Sequence, residues 1–157
     1  MTTSLLDTSA VVRACVFMLG GEPFALDVAR VREVVIFDEF TAVPLAPPHV
    51  IGLANLRGDV MPIVDAHGLL GLPLRRPGRA QRTLVVGADG LEIALVIDGV
   101  MSLEAFGEIV PVEEAAGRPC ARWTLGFLKR DDLLVPLLDA EKVINALRPA
   151  TARSSAA

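Results

Sequence analysis

Few side chains in this sequence could make or break bonds, and they lie far apart along it. There are two histidines, His49 and His67, and two cysteines, Cys15 and Cys120. Neither histidine stands in a metal-ligand spacing, and the cysteines form no CxxC pair. Ser102 is the only serine away from the termini, with no nucleophile-elbow pattern around it. The two lysines are Lys129 at a strand end and Lys142 on a C-terminal helix. No glycine-rich phosphate loop of the GxGxxG or Walker type occurs. Catalysis needs nucleophile, acid and base within mutual reach, so the residues predict no enzyme, no metal and no cofactor. Asp65 and Asp139 follow similar apolar runs and are expected to cap what comes after a strand, not to form an acid–base pair. His67 is expected to be a surface or capping residue before a proton carrier, and the cysteines to be buried thiols.

Two charged residues stand out. Glu33 sits in the strand-like Val31-Arg32-Glu33-Val34, and Arg57 in the turn-like Asn55-Leu56-Arg57-Gly58. Both fit solvated strand ends. Equally, Arg57 can donate its planar fork to a carboxylate, internal or on a partner.

The elements that hold these residues repeat. A shift of 69 residues sets Gly21 on Gly90, Phe24 on Ile93, Ala25 on Ala94, Leu26 on Leu95, Val28 on Ile97 and Val31 on Val100. A shift of 74 sets Ile51-Gly52-Leu53 on Leu125-Gly126-Phe127, and Val60-Met61-Pro62-Ile63-Val64-Asp65 on Leu134-Val135-Pro136-Leu137-Leu138-Asp139. Two matches in the same order at nearly the same offset predict a duplication. Each copy reads as a strand (14–19; 83–87), a glycine turn (Gly20-Gly21; Asp89-Gly90) and a second strand (24–28; 92–97) that runs on, bent, through 31–37 or 100–103. A late hairpin follows (52–56 with 60–64; 125–129 with 133–138), its turns at Arg57-Gly58-Asp59 and Arg130-Asp131-Asp132. Asp139 is expected to N-cap a final helix, Ala140–Leu147. Short strands with Gly and Pro turns predict small barrels whose closure hides their edges. The expected division is 14–74 and 83–147, joined by a linker over 75–82, with flexible termini at 1–13 and 148–157. The four arginines of that linker fit a solvated connection better than a phosphate patch on an acidic chain.

The composition agrees. Hydrophobic residues make up 52% and charged residues 22%, with a formal net charge of -4. That excludes a disordered chain and gives no basic excess for nucleic acid. The mean hydropathy of +0.51 is high, yet the longest apolar runs are about six residues, against roughly 20 for a spanning helix. Nothing near Met1 reads as a signal peptide, so a cytoplasmic location is expected.

Phe24-Ala25-Leu26-Asp27-Val28, Val31-Arg32-Glu33-Val34, Ile51-Gly52-Leu53-Ala54-Asn55-Leu56-Arg57-Gly58 and Pro62-Ile63-Val64-Asp65 resemble the successive motifs of the CheW chemotaxis coupling proteins. The second half continues the likeness with Leu95 to Val100, Leu125-Gly126-Phe127 and Leu137-Leu138-Asp139. The resemblance covers Ala14 to Leu147, and the Asn-Leu-Arg-Gly turn with Pro-Ile-Val-Asp is its specific part. It implies a mainly β fold of two pseudo-equivalent five-stranded SH3-like barrels with a short C-terminal helix. It also implies an adaptor that joins methyl-accepting chemoreceptor tips to the regulatory domain of a CheA-type histidine kinase, associated with receptor arrays at the membrane. By position, Val31, Glu33, Gly52, Asn55, Arg57 and Gly58 are implied receptor-binding residues, with Ile97, Val100 and Gly126 on the second copy. The receptor would lie in the groove between the barrels; no kinase-binding residues are assigned. Ala66-His67 departs from the family's bulkier or basic continuation, which leaves a module of a specialised pathway, binding receptors without the kinase, as an alternative. A small-ligand or enzymatic barrel is the remote one.

Overall fold

The computed structural model describes residues 11–73, 80–115 and 117–148. Among these described residues, eleven strands run in the order β1 (Val12–Leu19), β2 (Glu22–Asp27), β3 (Val31–Phe37), β4 (Val50–Leu56), β5 (Asp59–Val64), β6 (Gln81–Ala88), β7 (Leu91–Val96), β8 (Gly99–Phe106), β9 (Ile109–Val110), β10 (Thr124–Arg130) and β11 (Leu133–Leu138), followed by helix α1 (Ala140–Leu147). They form two curled sheets. Sheet A has the order β8-β1-β2-β11-β10-β9 and sheet B the order β3-β6-β7-β5-β4. The mainly β fold with a short C-terminal helix is as expected.

The sheets do not coincide with the sequence halves. The β1–β2 hairpin pairs with β8 and β11 of the second half, and the β6–β7 hairpin with β3 and β5 of the first. Each half therefore lends a hairpin to the other, and the expected boundary between 14–74 and 83–147 does not separate the barrels. Residues 75–79 of the expected linker lie outside the described residues; Gln81 and Arg82 already belong to β6.

The duplication holds down to register. Phe17 faces Phe24 across β1–β2 as Val86 faces Ile93 across β6–β7. Ala25 meets Leu137 in the parallel pairing of sheet A as Ala94 meets Ile63 in sheet B. Even the bulges match: Arg32 is the extra residue in β3, and Met101 holds the same place in β8.

Burial explains the hydropathy without a membrane. One small core fills sheet A, with Val16, Ala25, Phe106, Leu128, Val135 and Leu137. Another fills sheet B, with the equivalent Val85, Ala94, Phe37, Ala54, Met61 and Ile63. Between them lies a larger shared core that includes Phe17, Leu19, Phe24, Leu26, Leu84, Ile93 and Leu95. Strands β1, β2, β6 and β7 are thus buried on both faces, one in their own barrel and one in the shared layer. Strands covered on both sides read as unbroken apolar runs. Fully burying one Leu or Phe contributes roughly 1.5–3 kcal/mol. No helix among the described residues is long and apolar enough to cross a membrane.

Helix α1 closes the shared core with Ala140, Val143, Ile144 and Leu147, which lie on one face. Its start is set by Asp139, whose Oδ1 accepts the Lys142 amide at 3.1 Å. Asp65, its repeat equivalent, caps a shorter turn by accepting the His67 amide at 2.8 Å. The shared capping role read from the sequence is what the two carboxylates perform. At the other end, His49 Nε2 meets the Leu147 carbonyl oxygen at 3.0 Å. Asp139→Ala is expected to lower the unfolding free energy by about 1 kcal/mol, the usual cost of losing an N-cap. Urea denaturation measures this, and an unchanged midpoint would contradict it.

Two sequence readings change locally. The bend between β2 and β3 is a 3-10 turn, Val28–Arg30, capped by Asp27 through the Ala29 amide at 2.9 Å. The late hairpin turns hold two residues, not three: Arg57-Gly58 and Asp131-Asp132. Arg57 (φ 52°) and Gly58 (φ 91°) both take the left-handed conformation that a tight hairpin turn requires.

A candidate partner-binding edge at the barrel seam

Each curled sheet must bring its two ends together, and in sheet B the candidate residues stand at that seam. Strands β3 and β4 are its opposite ends. The chain beyond β3 returns to pair with β4: Thr41 and Leu53 exchange two backbone hydrogen bonds, of 2.9 and 2.8 Å. In sheet A the strand β9 does the same job against β10, with Val110 opposite Phe127. Leu53 and Phe127 are equivalent, so the expected five strands per barrel become five in sheet B and six in sheet A through one extra residue of pairing.

Close approach at this seam requires glycine. A Cβ on Gly52 would lie 2.7 Å from the Thr41 carbonyl oxygen and 2.9 Å from Phe40 Cδ2. A Cβ on Gly126 would lie 2.7 Å from Ile109 Cγ2 and 2.9 Å from the Val110 oxygen. Both glycines are thus fixed by barrel closure.

Arg57 engages an internal carboxylate. Its Nη2 donates to Glu33 Oε2, joining the β4–β5 turn to β3 across the seam. Asn55 Oδ1 accepts the Gly58 amide at 2.9 Å and holds the same turn. Four candidates therefore come together: Glu33, Asn55, Arg57 and Gly58. The Arg57 side chain remains 68% exposed, so most of its five N–H donors stay available. Val60 lies directly across from Asn55, and Val34 follows Glu33. They are 65% and 48% exposed, so exposed apolar side chains stand on the same strands as the clip. Beside it a shallow depression is lined by Asp38, Glu39, Phe40, Thr41, Leu53, Ala54 and Asn55.

The other candidates scatter. Val31 is half-buried against the shared core. Ile97 is 1% exposed and belongs to that core, so its side chain is not presented to a partner; sequence alone could not separate a buried strand end from an exposed one. Val100 pairs with Phe17 in sheet A. Gly126 is covered by Ile109 and Val110 in the other barrel. A second furrow, lined by Arg13, Ala14, Val28, Leu103, Glu104 and Ala105, lies where the chain crosses from β2 to β3.

Sequence reading missed the second barrel's clip. Arg130 Nε donates to Glu104 Oε1 at 3.2 Å, and Nη2 donates to Oε2 of the same carboxylate. This pair also joins β8 to β10 across the seam, but from positions that are not the repeat equivalents of Glu33 and Arg57. An acidic residue in β8 and an arginine at the end of β10 were the available signal. Ser102, the lone central serine, donates to the same Glu104.

The remaining reactive groups are engaged elsewhere. Both cysteines are free and buried. Burial pushes the Cys15 thiol up, and the Cys120 thiol as well, there against the lowering pull of Arg118. Among the described residues, no group of three or more His, Cys, Asp or Glu is placed to hold a metal ion.

Two curled sheets that exchange hairpins and close by matched seams define a double-barrel module built by duplication. Its family follows from comparison: residues 13–148 match the model of the CheW-like domain, and the chain belongs to that family. The chemotaxis protein CheW of Helicobacter pylori is 29% identical over 140 residues, covering 88% of this chain and 84% of that one. The probable chemotaxis protein CheW of Rhizobium etli is 28% identical over 131 residues, covering 82% and 84%. Among solved structures, the scaffolding protein TtCheW from Thermoanaerobacter tengcongensis superposes with a TM-score of 0.72 at 28% identity, covering 82% of this chain and 88% of that one.

Proposed function

We propose that this protein is a non-catalytic adaptor that couples methyl-accepting chemoreceptor tips to a CheA-type histidine kinase, at cytoplasmic receptor arrays. The observation that carries the reading is the intact clip of Glu33, Asn55, Arg57 and Gly58, exposed at a barrel edge in a CheW-like domain. Two relatives bear the names of chemotaxis proteins, and a structural neighbour is a scaffolding protein. The reactive side chains support contact over chemistry. Ser102 is bonded to Glu104, His49 meets a helix carbonyl, and the thiols are buried.

The working unit is residues 14–147 as one domain, because neither half completes a sheet alone. A helical receptor tip would lay apolar residues along the furrow at Val28 and Leu103 in a helix-in-groove mode. The exposed donors of Arg57 would meet a carboxylate on the partner. Transmission by contact requires the adaptor to bind one receptor state better than another, since equal affinity shifts nothing.

Purified receptor signalling tips and kinase, offered separately to the full chain, test this. Binding of both is the expected result. Binding of neither overturns the adaptor reading, and binding of the receptor alone overturns the coupling part of it.

A further inference from the structure

A histidine ring lies between two carboxylates at the junction of the barrels. The His67 side chain is 1% exposed. Its Nδ1 meets Asp65 Oδ1, which also takes its own backbone amide at 2.8 Å. Its Nε2 lies 3.6 Å from Asp98 Oδ2 and, though buried, has no hydrogen-bond partner.

Asp98 reaches into the other barrel. Its Oδ2 accepts the Gly20 amide at 2.6 Å, and its own amide donates to the Met18 oxygen at 2.9 Å. Gly20 lies in the β1–β2 turn of sheet A, whereas Asp65 and His67 continue from β5 of sheet B. Leu72 lies against Gly20, and its amide donates to the His67 oxygen at 2.8 Å. Two carboxylates face the ring: Asp65, from the segment after β5, and Asp98, from the turn before β8. The β1–β2 turn and the segment at 72 contribute Gly20 and Leu72.

We propose that His67 is a protonation-dependent latch between the barrels. A neutral imidazole carries one N–H and one bare nitrogen. With the proton on Nδ1 it serves Asp65 and turns a lone pair toward Asp98; with the proton on Nε2 the reverse holds. Only the imidazolium donates toward both carboxylates. In that form it completes a chain from β5 through Asp98 to the Gly20 turn. Because Nδ1 is the nitrogen in hydrogen-bond contact with a carboxylate, the neutral ring keeps its proton there; on losing the Nε2 proton it releases Asp98, and the β1–β2 turn is held to sheet B less firmly. The latch goes beyond the adaptor reading, and its test needs no partner.

Amide hydrogen exchange of the full chain, followed through the imidazole titration, tests it. Exchange at Gly20 is expected to speed up about tenfold beyond its intrinsic pH dependence as the ring loses its proton, the scale of one charge-assisted hydrogen bond. Amides of the β6–β7 hairpin, such as Val86, are expected to keep their protection. His67→Asn retains a donor for Asp65 but cannot titrate, so the step at Gly20 should vanish. A wild-type protein without the step, or a variant that keeps it, overturns the latch. Should the variant fail to fold, nitrogen NMR of the wild-type ring decides. Both ring nitrogens should carry protons in the state where Gly20 is protected, and a bare Nε2 in that state overturns the proposal.

Discussion

Gly52→Ala is expected to lower the unfolding free energy by about 2–4 kcal/mol, a large loss for one methyl group. The cause is local and hard to relax. The new Cβ would meet the Thr41 carbonyl oxygen at 2.7 Å, and that oxygen accepts the Leu53 amide at 2.8 Å. Backbone cannot swing away as a flexible side chain would. Relief requires the Thr41 segment to lift from β4, which strains or breaks the two hydrogen bonds that close sheet B. Overpacking in a well-filled site costs roughly 1–3 kcal/mol, and each lost backbone hydrogen bond about 0.5–1.5 kcal/mol. Gly126→Ala should behave alike through Val110, because it holds the equivalent place in sheet A. Gly107→Ala is the control, with nothing within 4 Å of its Cβ. Denaturant unfolding reads all three. If Gly52→Ala and Gly107→Ala unfold at the same midpoint, the closure argument fails. The outcome also bears on function: loss of partner binding in a Gly52 variant would report an opened barrel before a lost contact.

Much of this architecture was legible because side-chain periodicity and turn chemistry are local. The hairpin at Asp89-Gly90, the cap at Asp139 and helix Ala140–Leu147 all follow from a few adjacent residues. The duplication was legible too, and the register pairs Phe17–Phe24 and Val86–Ile93 repeat it in space. The exchange of hairpins was not, and the duplication itself is the reason. Ala25 and Ala94 occupy the same place in two copies of one pattern. A β1–β2 hairpin therefore meets an equivalent apolar edge whether it pairs with its own half or with the other. Strand pattern cannot choose between pairings that bury the same residue types. The site divides in the same way. Glu33 and Arg57 were visible as charges at strand and turn. A brace of the loop by Arg57 through Glu33 was one of two roles open to that arginine, and the structure forms it; the sequence could not choose between the roles, because the two residues are joined only by the curl of a sheet whose ends are distant in its own order. Ile97 failed as a surface residue since its shared-core face comes from the other barrel.

Arg57→Glu is expected to weaken receptor-tip binding at least tenfold while leaving the fold in place. Stability should change by less than about 1 kcal/mol, because the Glu33 pair is solvent-exposed and such pairs contribute little. Asn55 and Gly58 continue to hold the turn through their own hydrogen bond. Binding should suffer more. Only Nη2 is engaged by Glu33, and the Arg57 side chain is 68% exposed. A partner carboxylate there would lose a charge-assisted donor and meet a like charge, and tenfold corresponds to about 1.4 kcal/mol. The charge-swapped pair Glu33→Arg with Arg57→Glu separates bracing from contact. The swap restores an ion pair across the seam but leaves a carboxylate at the turn tip. If Arg57 touches the partner, the swapped protein stays as impaired as the single variant; calorimetric titration with receptor fragments measures both. Recovery of wild-type affinity in the swap would make Arg57 a brace of the barrel edge only. Wild-type affinity in Arg57→Glu itself would remove the clip from the receptor surface altogether.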